Sequence, residues 1–375
     1  MIYLDYAATT PMSEEALDAY TEAAKKFYGN PSSLHDIGSE AENMLEVCRT
    51  QLAHMINGEA EGVYFTSGGT ESNILAIRSL VTAHKYKGNH IITTKVEHSS
   101  LYQLFKLLET EGFEVTYLGV DEEGQIDMGE LKATIRDDTI LASIHHVNSE
   151  IGTIQRLHEI GELLEEEGVL FHSDCVQSFG KLAIDVKKYK LDSLSVSSHK
   201  LYGPKGVGMC YINPIIRWAM QLPNTTHERG FRPGTVNVPG VVSFTMVAQL
   251  AMKNIAENFE RESMLRNRFL FGIKKIDYEI NVEGHSIEQL PSIIGLSISG
   301  IQGQYMMLEF NRHGIAISTG SACQVGQQEP SRTMLALGKT DDEAKQFIRI
   351  SFGRFTDERH IEKAISVLKN IIKQF

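Results

Sequence analysis

Apolar positions follow two different periods along the chain. Short apolar runs that end in polar residues alternate with longer segments in which apolar residues recur every three or four positions. The short runs predict buried strands, and the longer segments predict amphipathic helices with one face on a core. Such an alternation favours a largely parallel sheet that is covered by helices. The chain is therefore predicted to have an α/β fold.

The predicted elements extend over the whole chain. Helices are predicted at 13–27, 39–55, 128–135, 159–167, 241–273, 304–312 and 357–372, and strands at 63–66, 91–94, 115–118, 140–144 and 293–298. The long helical segment 241–273 leads away from the predicted sheet, so we place a domain boundary within it. We expect a large domain of residues 14–255 and a smaller domain of residues 1–13 and 256–375. The polar, Gly- and Pro-rich segment 223–239 predicts a long loop of the functional or interface kind.

Composition narrows the class of function. The 375 residues can bury a substantial core, and 42% hydrophobic with 22% charged residues is ordinary for a globular protein. A formal net charge of −12, from 36 basic and 48 acidic residues, argues against a general affinity for nucleic acid or anionic membranes. The four cysteines, Cys48, Cys175, Cys210 and Cys323, lack the paired spacing of disulfides or zinc sites. No metal site is therefore expected. No basic leader precedes Asp5 and no apolar run could cross a membrane, so a cytoplasmic protein is expected.

The segment that ends at Lys200 carries the most informative chemistry. Ser197-Ser-His-Lys200 follows a short apolar run, and α/β proteins bind ligands at the carboxyl edge of their sheets. An amine held there can lose its proton and attack an aldehyde, as Schiff-base lysines do. A solvated turn residue is the alternative interpretation of this lysine.

Further polar groups follow other predicted strands. Gly69 and Thr70 open a helix, where backbone amides predict a phosphate site and a plain tight turn is the alternative. Asp174 is either a helix cap or the counter-ion of a buried ring-nitrogen cation. Gln177 would lie beside Asp174 on the same helical face. A helix cap or a surface position is the simpler interpretation of His98.

Two residues of the C-terminal part join these candidates. Small and polar residues surround Cys323, so an accessible, mobile thiol is expected, with an incidental exposed cysteine as the alternative. Arg349 lies in an alternating strand, where an arginine often binds a carboxylate in bidentate fashion.

These segments together resemble the class I cysteine desulfurases of the NifS/IscS type, within the aspartate-aminotransferase-like pyridoxal phosphate enzymes. The resemblance covers nearly the whole chain, and the motifs occur in the order of the family. The motifs are Tyr3-Leu-Asp-Tyr-Ala-Ala-Thr-Thr-Pro11, Gly29-Asn-Pro, Thr66-Ser-Gly-Gly-Thr-Glu-Ser72, Glu97-His98, Asp174-Cys-Val-Gln177, Ser197-Ser-His-Lys200, Arg232-Pro-Gly-Thr235, Ser321-Ala-Cys323 and Arg349-Ile-Ser-Phe-Gly-Arg354. The resemblance implies a type I pyridoxal-phosphate-dependent transferase fold, with a mostly parallel seven-stranded sheet in the large domain and a smaller α+β domain.

The resemblance also implies a role for each matched residue. Lys200 would carry pyridoxal 5'-phosphate as a Schiff base, and Cys323, in a long mobile loop, would be the nucleophile. His98 would stack on the cofactor ring and assist proton transfer, while Asn148 and Arg349 would bind substrate. Asp174 would contact the ring nitrogen, and Gln177 would contact the phenolic oxygen. The phosphate would be bound by Gly69, Thr70, Ser197 and His199. Thr235 would reach the phosphate bound to the neighbouring subunit.

Two residues depart from the family pattern. Many relatives have Asn-Asn before Glu-Ile-Gly, whereas this chain has Asn148-Ser149, and Ser149 reaches less far toward the cofactor. Cys175 stands where a small residue such as Ala is common, and we expect a buried structural thiol there.

The predicted function is that of a cytoplasmic, homodimeric cysteine desulfurase. It would convert L-cysteine to L-alanine, form a persulfide on Cys323 and pass the sulfur to an acceptor such as an iron–sulfur scaffold protein. A selenocysteine lyase would use nearly the same residues, and an aminotransferase of this fold would need no loop cysteine. A non-catalytic binding protein of this fold should lack a competent lysine, which Lys200 argues against.

Overall fold

The computed structural model describes residues 1–320 and 330–375. Its strands are β1 (Ile2–Tyr3), β2 (Val63–Thr66), β3 (His90–Thr94), β4 (Glu114–Leu118), β5 (Thr139–Ser143), β6 (Leu170–Asp174), β7 (Ser193–Ser197), β8 (Gly208–Ile212), β9 (Ile280–Glu283), β10 (Ile293–Ile298), β11 (Ile315–Ala316) and β12 (Phe347–Ser351). Its helices are α1 (Glu14–Lys26), α2 (Asp36–Met55), α3 (Gly69–His84), α4 (Ser99–Thr110), α5 (Met128–Thr134), α6 (Leu157–Glu166), α7 (Val238–Lys253), α8 (Ile255–Ile273), α9 (Gly303–Arg312), α10 (Arg332–Ala336), α11 (Asp341–Ala344) and α12 (Glu358–Ile372).

The central layer is a seven-stranded sheet with the order β2-β8-β7-β6-β5-β3-β4. The strands from β7 through β6, β5 and β3 to β4 pair in parallel, and β8 is antiparallel to both β7 and β2. The prediction of a mostly parallel seven-stranded sheet covered by helices is therefore confirmed. Because consecutive parallel strands end at one edge, the residues that follow β3, β5, β6 and β7 meet there.

A second, smaller layer contains the antiparallel sheet β12-β10-β9 and the short parallel pair β1-β11. Its apolar core joins Leu4, from the start of the chain, to residues of α8, α9, β10, β12 and α12. The N-terminal segment thus packs with the C-terminal third and then continues toward Lys200. No helix in the two described ranges is long and apolar enough to cross a bilayer.

Two expectations about helices are wrong. The segment 241–273 contains two helices, because α7 ends and α8 begins at Asn254, whose φ of −113° and ψ of 14° interrupt the helix. Asparagine favours caps because its side chain competes for backbone groups, and the Asn254 amide donates to the Leu250 carbonyl. The residues after Asp174 form turns, so Asp174 and Gln177 share no helical face.

Candidate active site

A cleft of about 510 Å³ opens where the parallel strands end. Most of the predicted site residues lie in its wall, although they are distant in sequence. Those present are Gly69, Thr70, His98, Ser149, Asp174, Gln177, Ser197, His199, Lys200 and Arg349.

Lys200 reaches the cleft from the 3₁₀ turn that follows β7. Its Nζ donates to the carbonyl oxygens of Ala7 (2.5 Å) and Ala8 (2.7 Å) in the N-terminal segment. Burial, together with the positive charges of Arg349 and Lys181, lowers the pKa of Lys200 to about 7. A substantial fraction of this amine is therefore neutral and nucleophilic near pH 7.

The turn between β2 and α3 forms a cradle opposite Lys200. Gly68 has a φ of +145°, and a Cβ on Gly69 would lie 2.6 Å from the Val176 side chain, so only glycines fit this turn. The N-terminus of the sixteen-residue helix α3 points backbone amides and its positive dipole end into the cradle. The Ser197 hydroxyl is buried there without a hydrogen-bond partner in the described part of the chain. These features fit a phosphate group.

His199 lies beside the cradle. Its Nδ1 is 3.1 Å from the Thr9 hydroxyl. Burial and the neighbouring charge of Lys200 lower the pKa of His199 to about 4, so the ring is neutral and can donate one N–H.

Asp174 lies at the end of β6 and caps no helix, because turns follow it. One carboxylate oxygen accepts the Val176 N–H (2.9 Å) and so holds the turn, while the other accepts from the Asn73 amide (2.8 Å). The carboxylate still forms part of the cleft wall and can face a ring-nitrogen cation. Gln177 lies in the same wall, and its amide donates to the Ala7 carbonyl (2.9 Å).

Asn73 is a residue that the sequence analysis missed. Its amide nitrogen donates both to Asp174 and to the Ser100 hydroxyl (3.1 Å), and that hydroxyl lies 2.8 Å from Nδ1 of His98. Its amide oxygen faces Nε2 of His172 (3.3 Å), whose pKa burial lowers to about 3. A continuous chain of hydrogen bonds therefore joins Asp174 to His98. The one sequence feature that could have indicated Asn73 was its position one turn after Gly69 on α3.

His98 both caps α4 and lies in the cleft wall. Its Nδ1 accepts the Ser100 N–H (3.2 Å). Because Nδ1 acts as an acceptor, a neutral His98 ring carries its proton on Nε2. The capping hydrogen bond therefore determines the tautomer of His98.

Arg349 approaches from the smaller layer, on β12. Its guanidinium donates to the Asp5 carboxylate (2.8 Å) and to the Ser149 carbonyl (2.9 Å), while Nε is buried without a partner in the described residues. Asn148 lies differently from Ser149, because its side-chain oxygen accepts the N–H groups of Glu150 (2.9 Å) and Ile151 (3.1 Å). Asn148 thus organises the turn, whereas Ser149 lies in the cleft wall.

Three further predictions concern Thr235, Cys323 and Cys175. Thr235 is exposed and absent from the cleft wall of its own chain, and Cys323 lies in 321–329, outside the described residues. Cys175 is buried as expected, and burial raises the pKa of its thiol to about 12, which leaves it protonated at neutral pH.

Comparisons with known proteins match nearly the whole chain. Residues 2–364 match the family model described as aminotransferase class-V. The chain is 48% identical to a putative cysteine desulfurase NifS from Bacillus subtilis, over 97% of this chain and 93% of the relative. It is 40% identical to a cysteine desulfurase IscS from Neisseria meningitidis, over 99% of this chain and 92% of the relative. Among solved structures, a NifS-like protein superposes with a TM-score of 0.93 at 28% identity over the full length of both chains. SspA in complex with cysteine superposes with a TM-score of 0.83 at 30% identity, over 95% of this chain and all of the other.

Proposed function

Because the chain belongs to the aminotransferase class-V family and is similar over its length to cysteine desulfurases of the NifS/IscS kind, we propose that it is a pyridoxal 5'-phosphate-dependent cysteine desulfurase. The observation that carries this proposal is the Lys200 amine. Its pKa is lowered to about 7, and it lies in one cleft with the phosphate cradle of α3 and with Asp174.

The donors and acceptors of the cleft fit the cofactor. The cradle at Gly69 and Thr70, with the unpartnered Ser197 hydroxyl, suits the phosphate, and Asp174 suits a protonated ring nitrogen. When bound, pyridoxal 5'-phosphate supplies a conjugated ring that accepts the electron pair of a breaking bond on the substrate. Lys200 would bind its aldehyde, and His199 would donate to its phosphate.

The other residues of the cleft would bind and orient L-cysteine. Arg349, fixed by Asp5 and by the Ser149 carbonyl, has its buried Nε available for the substrate carboxylate. Once substrate has displaced Lys200, the Nζ group would accept the α-proton, since its lowered pKa suits a general base near neutral pH. His98 would hold a proton at Nε2 beside the cofactor ring, and Gln177 would donate to its phenolic oxygen.

The sulfur acceptor within the chain is proposed to be Cys323. Its thiolate would attack the substrate sulfur, forming a sulfur–sulfur bond as the carbon–sulfur bond breaks, and L-alanine would retain the carbon skeleton. The motif match and the chemical demand for an accessible thiol support this choice. The other three cysteines are buried. A homodimer, a cytoplasmic location and transfer of the persulfide sulfur to an iron–sulfur scaffold protein complete the proposal.

The test is conversion of L-cysteine by the cofactor-loaded protein in the presence of a reductant. We expect equimolar L-alanine and sulfide, and we expect Cys323→Ser to bind L-cysteine and the cofactor but to form no persulfide. Mass spectrometry of the trapped protein should place the added sulfur on the peptide with Cys323. A persulfide on Cys175 would contradict the choice of nucleophile. A keto-acid product would indicate an aminotransferase, and much faster alanine release from selenocysteine would indicate a lyase.

A further inference from the structure

The smaller layer carries a second cleft that shares no wall residue with the active-site cleft. It has a volume of about 360 Å³ and lies between α8 and the edge strand β9. Leu270 of α8 and Ile280 and Val282 of β9 supply apolar walls, and the floor contains Arg266 of α8. An apolar cleft with a charged floor is the usual form of a site for a small organic ligand.

Arg266 is unusual because it is buried without a counter-ion. Its side chain belongs to a residue that is only 4% exposed, and it forms no ion pair with any residue in 1–320 or 330–375. Its one hydrogen bond in those ranges runs from Nη1 to the Ile293 carbonyl (2.6 Å). Burial lowers the pKa of Arg266 to about 10, and no acidic group offsets this cost. Arginines at this depth are normally paired.

The unused side of the guanidinium has the geometry of a carboxylate receptor. Nε is buried without a partner in the described residues, and Nη2 forms no hydrogen bond with them. Together Nε and Nη2 present two parallel N–H groups, the arrangement that binds a carboxylate in bidentate fashion.

Two acidic side chains near the cleft, Glu123 and Glu283, already have partners. Glu123 accepts the N–H (3.2 Å) and the hydroxyl (3.0 Å) of Ser286 and lies 3.4 Å from His285. Glu283 pairs with Lys339 at 3.2 Å. A second unpartnered atom, Oε1 of Gln289, is buried at the same cleft and can accept a hydrogen bond.

We propose that this cleft binds a small aliphatic carboxylate, whose carboxylate group pairs with the Nε–Nη2 edge of Arg266 and whose apolar body packs on Leu270, Ile280 and Val282. Lys274, exposed at the end of α8, adds a positive charge at the rim. The proposal does not depend on the reaction in the other cleft. It assigns the desulfurase a second ligand site, on its smaller layer.

The experiment uses the cofactor-loaded protein and 4-methylpentanoate, with 4-methylpentanamide as the uncharged control. Calorimetry should show binding of the acid at least about tenfold tighter than that of the amide, as expected for loss of a charge-assisted bidentate contact. Because Arg349 is also a proposed carboxylate binder, hydrogen exchange must locate the ligand. We expect slower exchange in β9 and the C-terminal half of α8. Protection confined to β12 and the N-terminal segment, or equal affinity for acid and amide, would overturn the proposal.

Variants sharpen the assignment. Arg266→Lys keeps the charge but removes the planar fork, so the affinity for 4-methylpentanoate should fall about tenfold or more. If that variant does not fold, substitutions of two neighbouring surface lysines, one in the cleft wall and one outside it, test the proposal instead. Lys274→Glu should weaken binding about three- to fivefold, whereas Lys275→Glu, at an exposed neighbour outside the cleft wall, should leave it unchanged. Equal effects of the two substitutions would argue for general electrostatics and against this site.

Discussion

Lys200 shows how a single side chain takes its reactivity from its surroundings. Burial removes water from the ammonium form, and Arg349 and Lys181 repel it, so its pKa falls to about 7. The neutral, nucleophilic fraction of the amine therefore rises as pH increases through 7, several units below the range of an exposed lysine.

We expect the rate at which the cofactor-free protein captures pyridoxal 5'-phosphate to rise with pH, with a midpoint near 7. The capture rate is measured from the absorbance of the lysine-bound cofactor after rapid mixing. Lys181→Met removes one repelling charge and should move the midpoint upward, while Lys200→Ala should give no such signal. A midpoint near the value of free lysine would contradict the role of burial.

Asn73 is a positioning residue whose effect can be measured separately from catalysis. Asn73→Ala removes the hydrogen bond to the Asp174 carboxylate and the link to Ser100. A hydrogen bond to a charged group is worth about 1.5–3 kcal/mol, so cofactor affinity should fall about ten- to hundredfold. Equilibrium dialysis of the cofactor provides the measurement. Asn89→Ala, at a surface asparagine that bonds the Gly112 carbonyl, should change nothing.

The sequence predicted the residues at strand ends and missed those that support them. Lys200, Asp174 and His98 each lie at the end of a strand of the sheet or a few residues after it, so the fold class alone brings them to one edge. Asn73 and Ser100 lie within helices, and nothing in their local pattern distinguishes them from other polar residues. Their roles depend on which helix faces which strand, and that is a tertiary property.

At the scale of elements, one buried ion pair connects three segments. The Glu228 carboxylate accepts from both terminal nitrogens of Arg49 (2.9 and 3.1 Å) and from the Phe65 N–H (2.6 Å). It thereby ties the long loop to α2 and to β2, the strand that leads to the phosphate cradle. Glu228 and Arg229 have φ values of 46° and 55°, a left-handed conformation that the ion pair must hold against its cost.

Glu228→Gln should destabilise the protein strongly, because it leaves Arg49 buried without a full counter-ion. Breaking one partner of such a pair typically costs about 3–5 kcal/mol. The midpoint of urea unfolding should fall accordingly. Arg229→Gln removes an exposed pair with Glu46 (3.3 Å) and should cost less than about 1 kcal/mol. Similar midpoints for the two variants would show that the buried pair does not anchor the loop.

Element boundaries were less predictable than element types. Apolar spacing continues through both α7 and α8, so periodicity alone could not locate the break at Asn254. The antiparallel strand β8 was not predicted either. Its pairing with β7 follows from the turn at 198–207, whose direction depends on glycines that admit a positive φ, such as Gly206 at +77°.

At the scale of the whole molecule, the long loop is the segment on which the proposed homodimer can be tested. Arg232 pairs with Glu71 of its own cradle (3.0 Å), which holds the loop near the active-site cleft, yet Thr235 is exposed. Just before the loop, Ile215, Met220 and Leu222 expose 84%, 51% and 54% of their surfaces. Apolar side chains grouped in this way often mark a protein interface.

We therefore expect Thr235→Ala to weaken cofactor retention in the dimer, since the proposed partner of this hydroxyl is the phosphate bound to the neighbouring subunit. Thr226→Ala, at another exposed threonine of the same loop, is the matched control and should retain the cofactor. A ligand that binds only the dimer stabilises it by mass action, so the cofactor-loaded dimer should resist dilution better than the cofactor-free dimer. Sedimentation velocity across a dilution series measures both effects. A fully active monomer that retains its cofactor would exclude a shared site and remove Thr235 from it.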